Sequence, residues 1–212
     1  MTRIAHPCAT TSALALAVAL TLGAGIGTAW ASPETGGRNI QDFATASFRT
    51  WISECYFVDA SVQYFAGDNL QSPIGSGKPT HWADAPTRVG VFDACDNDNE
   101  VWHVEGLGFP DSGPAFDRLD SASLDVSLVT LFDGVGTSVD AEIHLDWLGQ
   151  GPTTARVDHQ LDVGYYRQER FRSASVTGTV EFGASLFWSS LTLTGDQSHD
   201  AIIGTANEIT LP

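Results

Sequence analysis

The chain is poor in the residues that usually betray a function. It holds three cysteines, a single lysine (Lys78) and no methionine beyond the first residue in 212 positions. So few thiols exclude a disulfide-dense scaffold, and a zinc site built on cysteine would lack ligands. Past the first 31 residues, no stretch of ten or more shows a helical period. The linear signatures G-x-S-x-G, H-E-x-x-H, S-x-x-K and the Walker loop are missing, as is any N-x-S/T sequon. Those gaps remove the families with linear motifs, but not an enzyme whose site is assembled across strands. Cations are also scarce, with 10 Lys and Arg against 26 Asp and Glu and a formal net charge of −16. Such a surface repels nucleic acid and anionic membrane and attracts cations in general.

What is present begins with a leader. Residues 1–31 read as a signal peptide, with Arg3 in a short n-region, an apolar run from Ala13 to Ala29, and Ala29-Trp30-Ala31 as a small-x-small cleavage site. Gly23, Gly25 and Gly27 near the end of the run argue against a membrane anchor, and Cys8 precedes the run instead of closing it. Cleavage would start the mature chain at Ser32 and remove Arg3, so the mature charge becomes 9 − 26 = −17. The expected location is extracellular or in the cell envelope, with no membrane insertion of the mature chain. Export leaves Cys55 and Cys95, and an oxidising compartment predicts one bond between them.

The mature chain is expected to be all-β. Residues 32–47 carry Pro33 and the Gly36-Gly37 pair and read as a lead-in to a single antiparallel domain over 48–212. Tyr56, Val58, Ala60, Val62 and Tyr64 alternate with Phe57, Asp59, Ser61, Gln63 and Phe65, the period of a half-buried strand. Residues 67–87, dense in Gly, Pro, Asn and Asp, predict a long loop. A hairpin follows over 88–94 and 100–106 around Cys95-Asp96-Asn97-Asp98-Asn99, then a second loop over 108–119. Strands are expected near 123–132, 138–148, 154–163, 170–182, 185–194 and 201–211, joined by short Gly- and Asp-rich connectors. Val139, Ala141, Ile143, Leu145 and Trp147 should face the core, as should Val157, His159, Leu161 and Val163. About nine strands in an up-and-down meander predict closure as a barrel or as a two-sheet sandwich.

Three constellations are candidates for chemistry. In Gly164 to Arg172, the side chains of Arg167, Arg170 and Arg172 stand beside Tyr165 and Tyr166, the one basic cluster of an acidic chain. Guanidinium forks bind carboxylate or phosphate and tyrosine rings stack on sugars, so this cluster is the expected surface for a glycan or anionic small molecule. Cross-strand ion pairs with Asp158, Asp162 or Glu169 would give the same pattern. The turn bearing Asp96, Asp98 and Glu100 offers oxygen ligands to calcium, yet its residues are also those a tight turn selects, and it lacks an EF-hand's glycine and closing carboxylate. No other cofactor is expected. His103 with Glu105, and His144 with Glu142 and Asp146, could form acid-base or metal pairs, and His159 lies on an apolar face.

No single activity follows from these residues. A secreted, non-catalytic binding or structural module is the expectation, and a small β-barrel hydrolase or isomerase is the alternative. The position of the histidines should separate the two, because catalysis would need them converging with a carboxylate in one pocket.

Overall fold

The computed structural model describes residues 37–71, 80–112, 115–160 and 165–210. The leader and its cleavage site lie outside these residues. Ten strands follow one another: β1 (Gly37–Trp51), β2 (Tyr56–Gln71), β3 (Thr80–Asp93), β4 (Asn99–Gly108), β5 (Ala115–Asp117), β6 (Ser121–Phe132), β7 (Ser138–Gln160), β8 (Tyr165–Phe182), β9 (Leu191–Thr194) and β10 (Ser198–Thr210). All pair antiparallel in one sheet, in the order β10-β1-β2-β3-β4-β6-β7-β8-β9, with the short β5 added to β6. The path turns back on itself because β10 pairs with β1 on one side and β8 on the other, giving a ring-like sheet. β8 carries β10 along Tyr165 to Ser173 and β9 along Thr179 to Phe182. The expected all-β, antiparallel class is what the chain adopts, as one ring-like sheet and not as the two-sheet sandwich that is the other expectation.

Alternation in the sequence becomes burial in the structure. Val139, Ala141, Ile143, Leu145 and Trp147 of β7 are all buried, as are Val58, Ala60, Val62 and Tyr64 of β2. Burying each such branched side chain contributes about 1.5–3 kcal/mol, which is why a one-residue slip of register would be prohibitive. Aromatic residues fill the two ends. Trp102, Phe182, Phe187 and Trp188 meet at one, with the Trp102 ring centroid 5.5 Å from that of Phe187 and 5.6 Å from that of Trp188. Tyr64 stacks on Phe116 near the other at 4.6 Å, and its hydroxyl accepts the Ala115 N–H at 3.1 Å. The β6–β7 turn is held by Asp133, whose Oδ1 accepts the N–H groups of Val135, Gly136 and Thr137.

Several expectations need correction. The lead-in expected over 32–47 is, from Gly37 onward, a full strand that pairs with both β2 and β10. Its inward residues Ala44, Ala46 and Phe48 are buried, but two of the three are alanines, too small to mark a core face in the sequence. The long loop expected over 67–87 is shortened from both sides, since β2 runs to Gln71 and β3 starts at Thr80. The strands expected at 138–148 and 154–163 are one strand, β7; the residues around Gly151 and Pro152 form an irregularity between Gln150 and Thr154 instead of a connector. β6 ends its pairing with β7 at Leu148, so Pro152 stands on an open edge where its missing N–H breaks no ladder. Val157 is 47% exposed, so the inward face expected there is not formed; Leu161 and Val163 lie outside the described residues, as does the His159 side chain. Of the strand expected over 185–194 only Leu191–Thr194 is extended, because the segment before it turns Phe187 and Trp188 into the core end.

Candidate functional site

β8 divides the basic cluster instead of presenting it as one patch. Successive residues on a strand point to opposite faces. Tyr165, Arg167 and Glu169 therefore share one face, and Tyr166, Arg170 and Arg172 the other. Arg167 pairs with Glu169 at 2.5 Å, and the Tyr165 hydroxyl bonds to Glu208 on β10. Arg172 is structural. Its Nε donates to the Leu119 carbonyl at 2.7 Å and its Nη2 to Asp120 at 2.5 Å, tying down the turn before β6. Gly149 lies against this guanidinium, where a side chain would collide with it. Arg170 is exposed and has no ion-pair partner among the described residues.

The acidic turn is closed by its backbone, with the Asn99 N–H donating to the Asp96 carbonyl at 3.1 Å, while the Asp96 and Asp98 side chains are exposed. Asp93 Oδ1 accepts the Cys95 N–H at 2.9 Å, and Asn97 and Asp98 both have φ of 55°, the left-handed region that Asn and Asp tolerate. Glu100 faces away from Asp96 and Asp98 in its bonding, with Arg88 Nη2 at 2.5 Å and His103 Nδ1 at 2.9 Å. Cys55 and Cys95 are bonded across the two turns at this end, with their Cα atoms 5.2 Å apart. Asp93 is close to both sulfurs, but a disulfide has no thiolate to offer a metal.

The histidines disperse. His103 meets Glu100 at an exposed position on β4. His144 on β7 lies between Asp125 and Glu142, each 2.8 Å away. Hydrogen bonds to Asp125 first and Glu142 second hold its pKa above the ordinary histidine value. His81 bonds to Asp68 on the neighbouring strand, also in the open.

A different surface emerges where the strands overrun the ring. Beyond the core, β3, β2, β1, β10, β8 and the end of β7 continue side by side as a wall, with Arg156 and Asp158 of β7 opposite Glu169 and Arg167. On β1, Ala44, Ala46 and Phe48 face the core, so Asn39, Gln41 and Phe43 lie on the reverse face. The pairing then lines up three rungs across five strands on that face. The first is Phe171, Gly204, Phe43, Phe65 and Asp84. The second is Glu169, Ala206, Gln41, Gly67 and Trp82, and the third brings Arg167, Glu208 and Asn39 together. Glycine is needed at two of these points. The Phe43 ring covers Gly204 where any side chain would clash, and Trp82 Cζ2 would stand 3.2 Å from a Cβ on Gly67.

This face carries an unusual set of polar atoms. Asn39 Oδ1, Trp82 Nε1, Asp84 Oδ1 and Arg167 Nε are buried without a hydrogen-bond partner among the described residues; the one further such atom, Trp102 Nε1, is at the opposite end of the ring. An unmet buried polar atom costs about 1–3 kcal/mol, so each demands an explanation. Desolvation raises the Asp84 carboxyl to about 6, with no cation among the described residues to oppose it.

Sequence reasoning found Tyr165 and Arg167 of this face but missed Asn39, Trp82 and Asp84. The first was assigned to the lead-in and the other two to the long loop. The only linear signal was the W-x-D spacing of Trp82 and Asp84, which places both on one strand face. No protein-family model, characterised protein or solved structure matches the chain.

Proposed function

We propose that the protein is a secreted, non-catalytic binding module of the extracellular space or cell envelope, exported by residues 1–31. The observation that carries this reading is the dispersal of the histidines. His103 and His144, like His81, stand on separate strands, each exposed and each bonded to a carboxylate, and among the described residues they share no enclosed pocket; the His159 side chain lies outside those residues. General acid-base catalysis needs such groups converging on one reacting atom. The acidic surface, with 26 acids against 10 cations over the whole chain, favours neutral or cationic partners over nucleic acid and anionic lipid. No helix among the described residues is long and apolar enough to cross a membrane.

The alternative, a small β enzyme, draws on one observation: the raised carboxyl of Asp84 resembles that of a general acid, although no second titratable group faces it as a partner in the raised shift. Two measurements test the proposal. N-terminal sequencing of protein recovered outside the cell should begin at Ser32; a chain still beginning at Met1 would contradict export by cleavage. Incubation with ester, glycoside, peptide and phosphoester substrates should yield no product. Turnover abolished by Asp84→Asn would replace the module with an enzyme.

A further inference from the structure

We propose that the reverse face of the wall binds a neutral, extended oligosaccharide. This rests on the binding-module reading and gives that module its ligand class. The four unpartnered atoms are two donors, the Trp82 indole N–H and the Arg167 Nε–H, and two acceptors, Asn39 Oδ1 and Asp84 Oδ1. They alternate in kind across one face, and a hydroxyl is an uncharged group whose single oxygen both donates and accepts. A ligand rich in hydroxyls therefore meets all four without a second charge.

Charge excludes the simpler ligands. An anion would meet Asp84 and a chain of net charge −16, while Arg167 is already paired with Glu169. A metal cation would find Asp84 alone at the β3 side, about four strand spacings from the carboxylates of Glu208 and Asp158 beside Arg167, and needs more oxygen ligands at one point than that. The aromatic residues suit a sugar ring. Trp82 lies over Gly67, and Phe65 and Phe171 stand on the adjoining rung, all three partly exposed. Their faces can take the apolar side of a pyranose while the hydroxyls at its edge reach the polar atoms. Four strand spacings separate Arg167 on β8 from Trp82 on β3, about 19 Å along a flat sheet. One sugar ring cannot span that distance, so the ligand is a chain of several.

The test is calorimetry on the purified protein with cellotetraose, laminaritetraose, maltotetraose, mannotetraose and chitotetraose, with a tetragalacturonate as the anionic counterpart. At least one neutral tetrasaccharide should bind saturably. Trp82→Ala should abolish that binding, and Trp82→Phe, which keeps a ring but removes the N–H, should weaken it about fivefold or more. Asn39→Ala should weaken it similarly. Trp51→Ala, an exposed tryptophan at the other end of the molecule, should leave it unchanged. Melting curves check that each variant is folded, and the Trp82→Phe and Asn39→Ala variants keep the test valid if Trp82→Ala unfolds. Binding of none of the neutral tetrasaccharides, binding of tetragalacturonate alone, or affinity unaffected by Trp82→Phe and Asn39→Ala would overturn the assignment. Chromatography of each bound mixture separates the two proposals: cleavage of the sugar would refute the non-catalytic reading while leaving the site in place, and failure to bind would remove the site while leaving that reading intact.

Discussion

The indole N–H of Trp147 donates to the backbone carbonyl of Thr45, 3.0 Å away and 102 residues earlier in the chain. Trp147 is on β7 and Thr45 on β1, strands that do not pair with each other, so the bond crosses the interior. It gives a buried tryptophan the polar partner it needs and joins two sides of the sheet. Trp147→Phe should remove that bond and leave part of the ring volume empty, lowering stability by about 2 kcal/mol in denaturant unfolding. A change below about 0.5 kcal/mol would mean that the crossing bond is idle.

The Cys55–Cys95 bond closes a 40-residue separation at the turn end. On the chain-entropy account such a loop is worth about 4 kcal/mol, less any native strain. Alkylation of the denatured, unreduced mature protein should label neither cysteine. The double replacement Cys55→Ala, Cys95→Ala should lower the denaturation midpoint. An unchanged midpoint would place the bond's value near zero.

Asp84 should make the protein less stable as pH rises. Its folded pKa, about 6, is above the unfolded carboxylate value because burial disfavours the charge. Between the two values the folded chain holds a proton that the unfolded chain has released, so stability is greatest below about pH 4 and declines as pH climbs to about 6. The residue is partly exposed, and screening reduces the effect to the order of 1 kcal/mol. Asp84→Asn should flatten this segment of the stability-pH curve and stabilise the protein at pH 7. A steeper curve in the variant would refute the assignment.

Arg172 and Arg170 should behave differently although they stand two residues apart. Arg172→Ala removes two bonds to the turn at Leu119 and Asp120 and should cost about 1–2 kcal/mol. Arg170→Ala, at an exposed site with no ion-pair partner among the described residues, should stay within about 0.5 kcal/mol of the parent. Equal losses would mean that the cluster acts as a unit after all.

Calcium should bind weakly. Glu100 is held by Arg88 and His103, which leaves Asp96 and Asp98 few companions. Calorimetric titration should give no sub-micromolar affinity; such an affinity, lost in Asp98→Ala, would show that the turn rearranges around the ion.

The sequence declared the fold wherever one face was both apolar and large. The Val139-to-Trp147 stripe names its inward face residue by residue, and the Asp133 turn announces its connector through glycines and an Asp. It concealed β1, whose core positions are mostly alanine, and the wall, where neither face is plainly apolar. Gly67, which opens the expected loop, and Gly204, inside an expected strand, are the spaces into which Trp82 and Phe43 fit. The reverse face was hidden for a further reason: its residues come from five strands, and only register brings Asn39, Trp82 and Arg167 onto one surface. The basic cluster was legible as composition, but the period of two that makes it a strand also divides it.

Ring closure by β1 and β10 orders events in the life of the chain. Arg38 on β1 bonds to Asn207 on β10, 169 residues later, so β1 has only one of its two neighbours until the last strand has emerged from the ribosome or the export channel. Until then β1 and β8 present open edges that another chain could occupy. Closure of the ring thus waits for β10 and, if the leader acts as proposed, for its translocation. In that case the delay would hold the chain open during export, and fragments truncated before Ser198 should be the species most prone to aggregate.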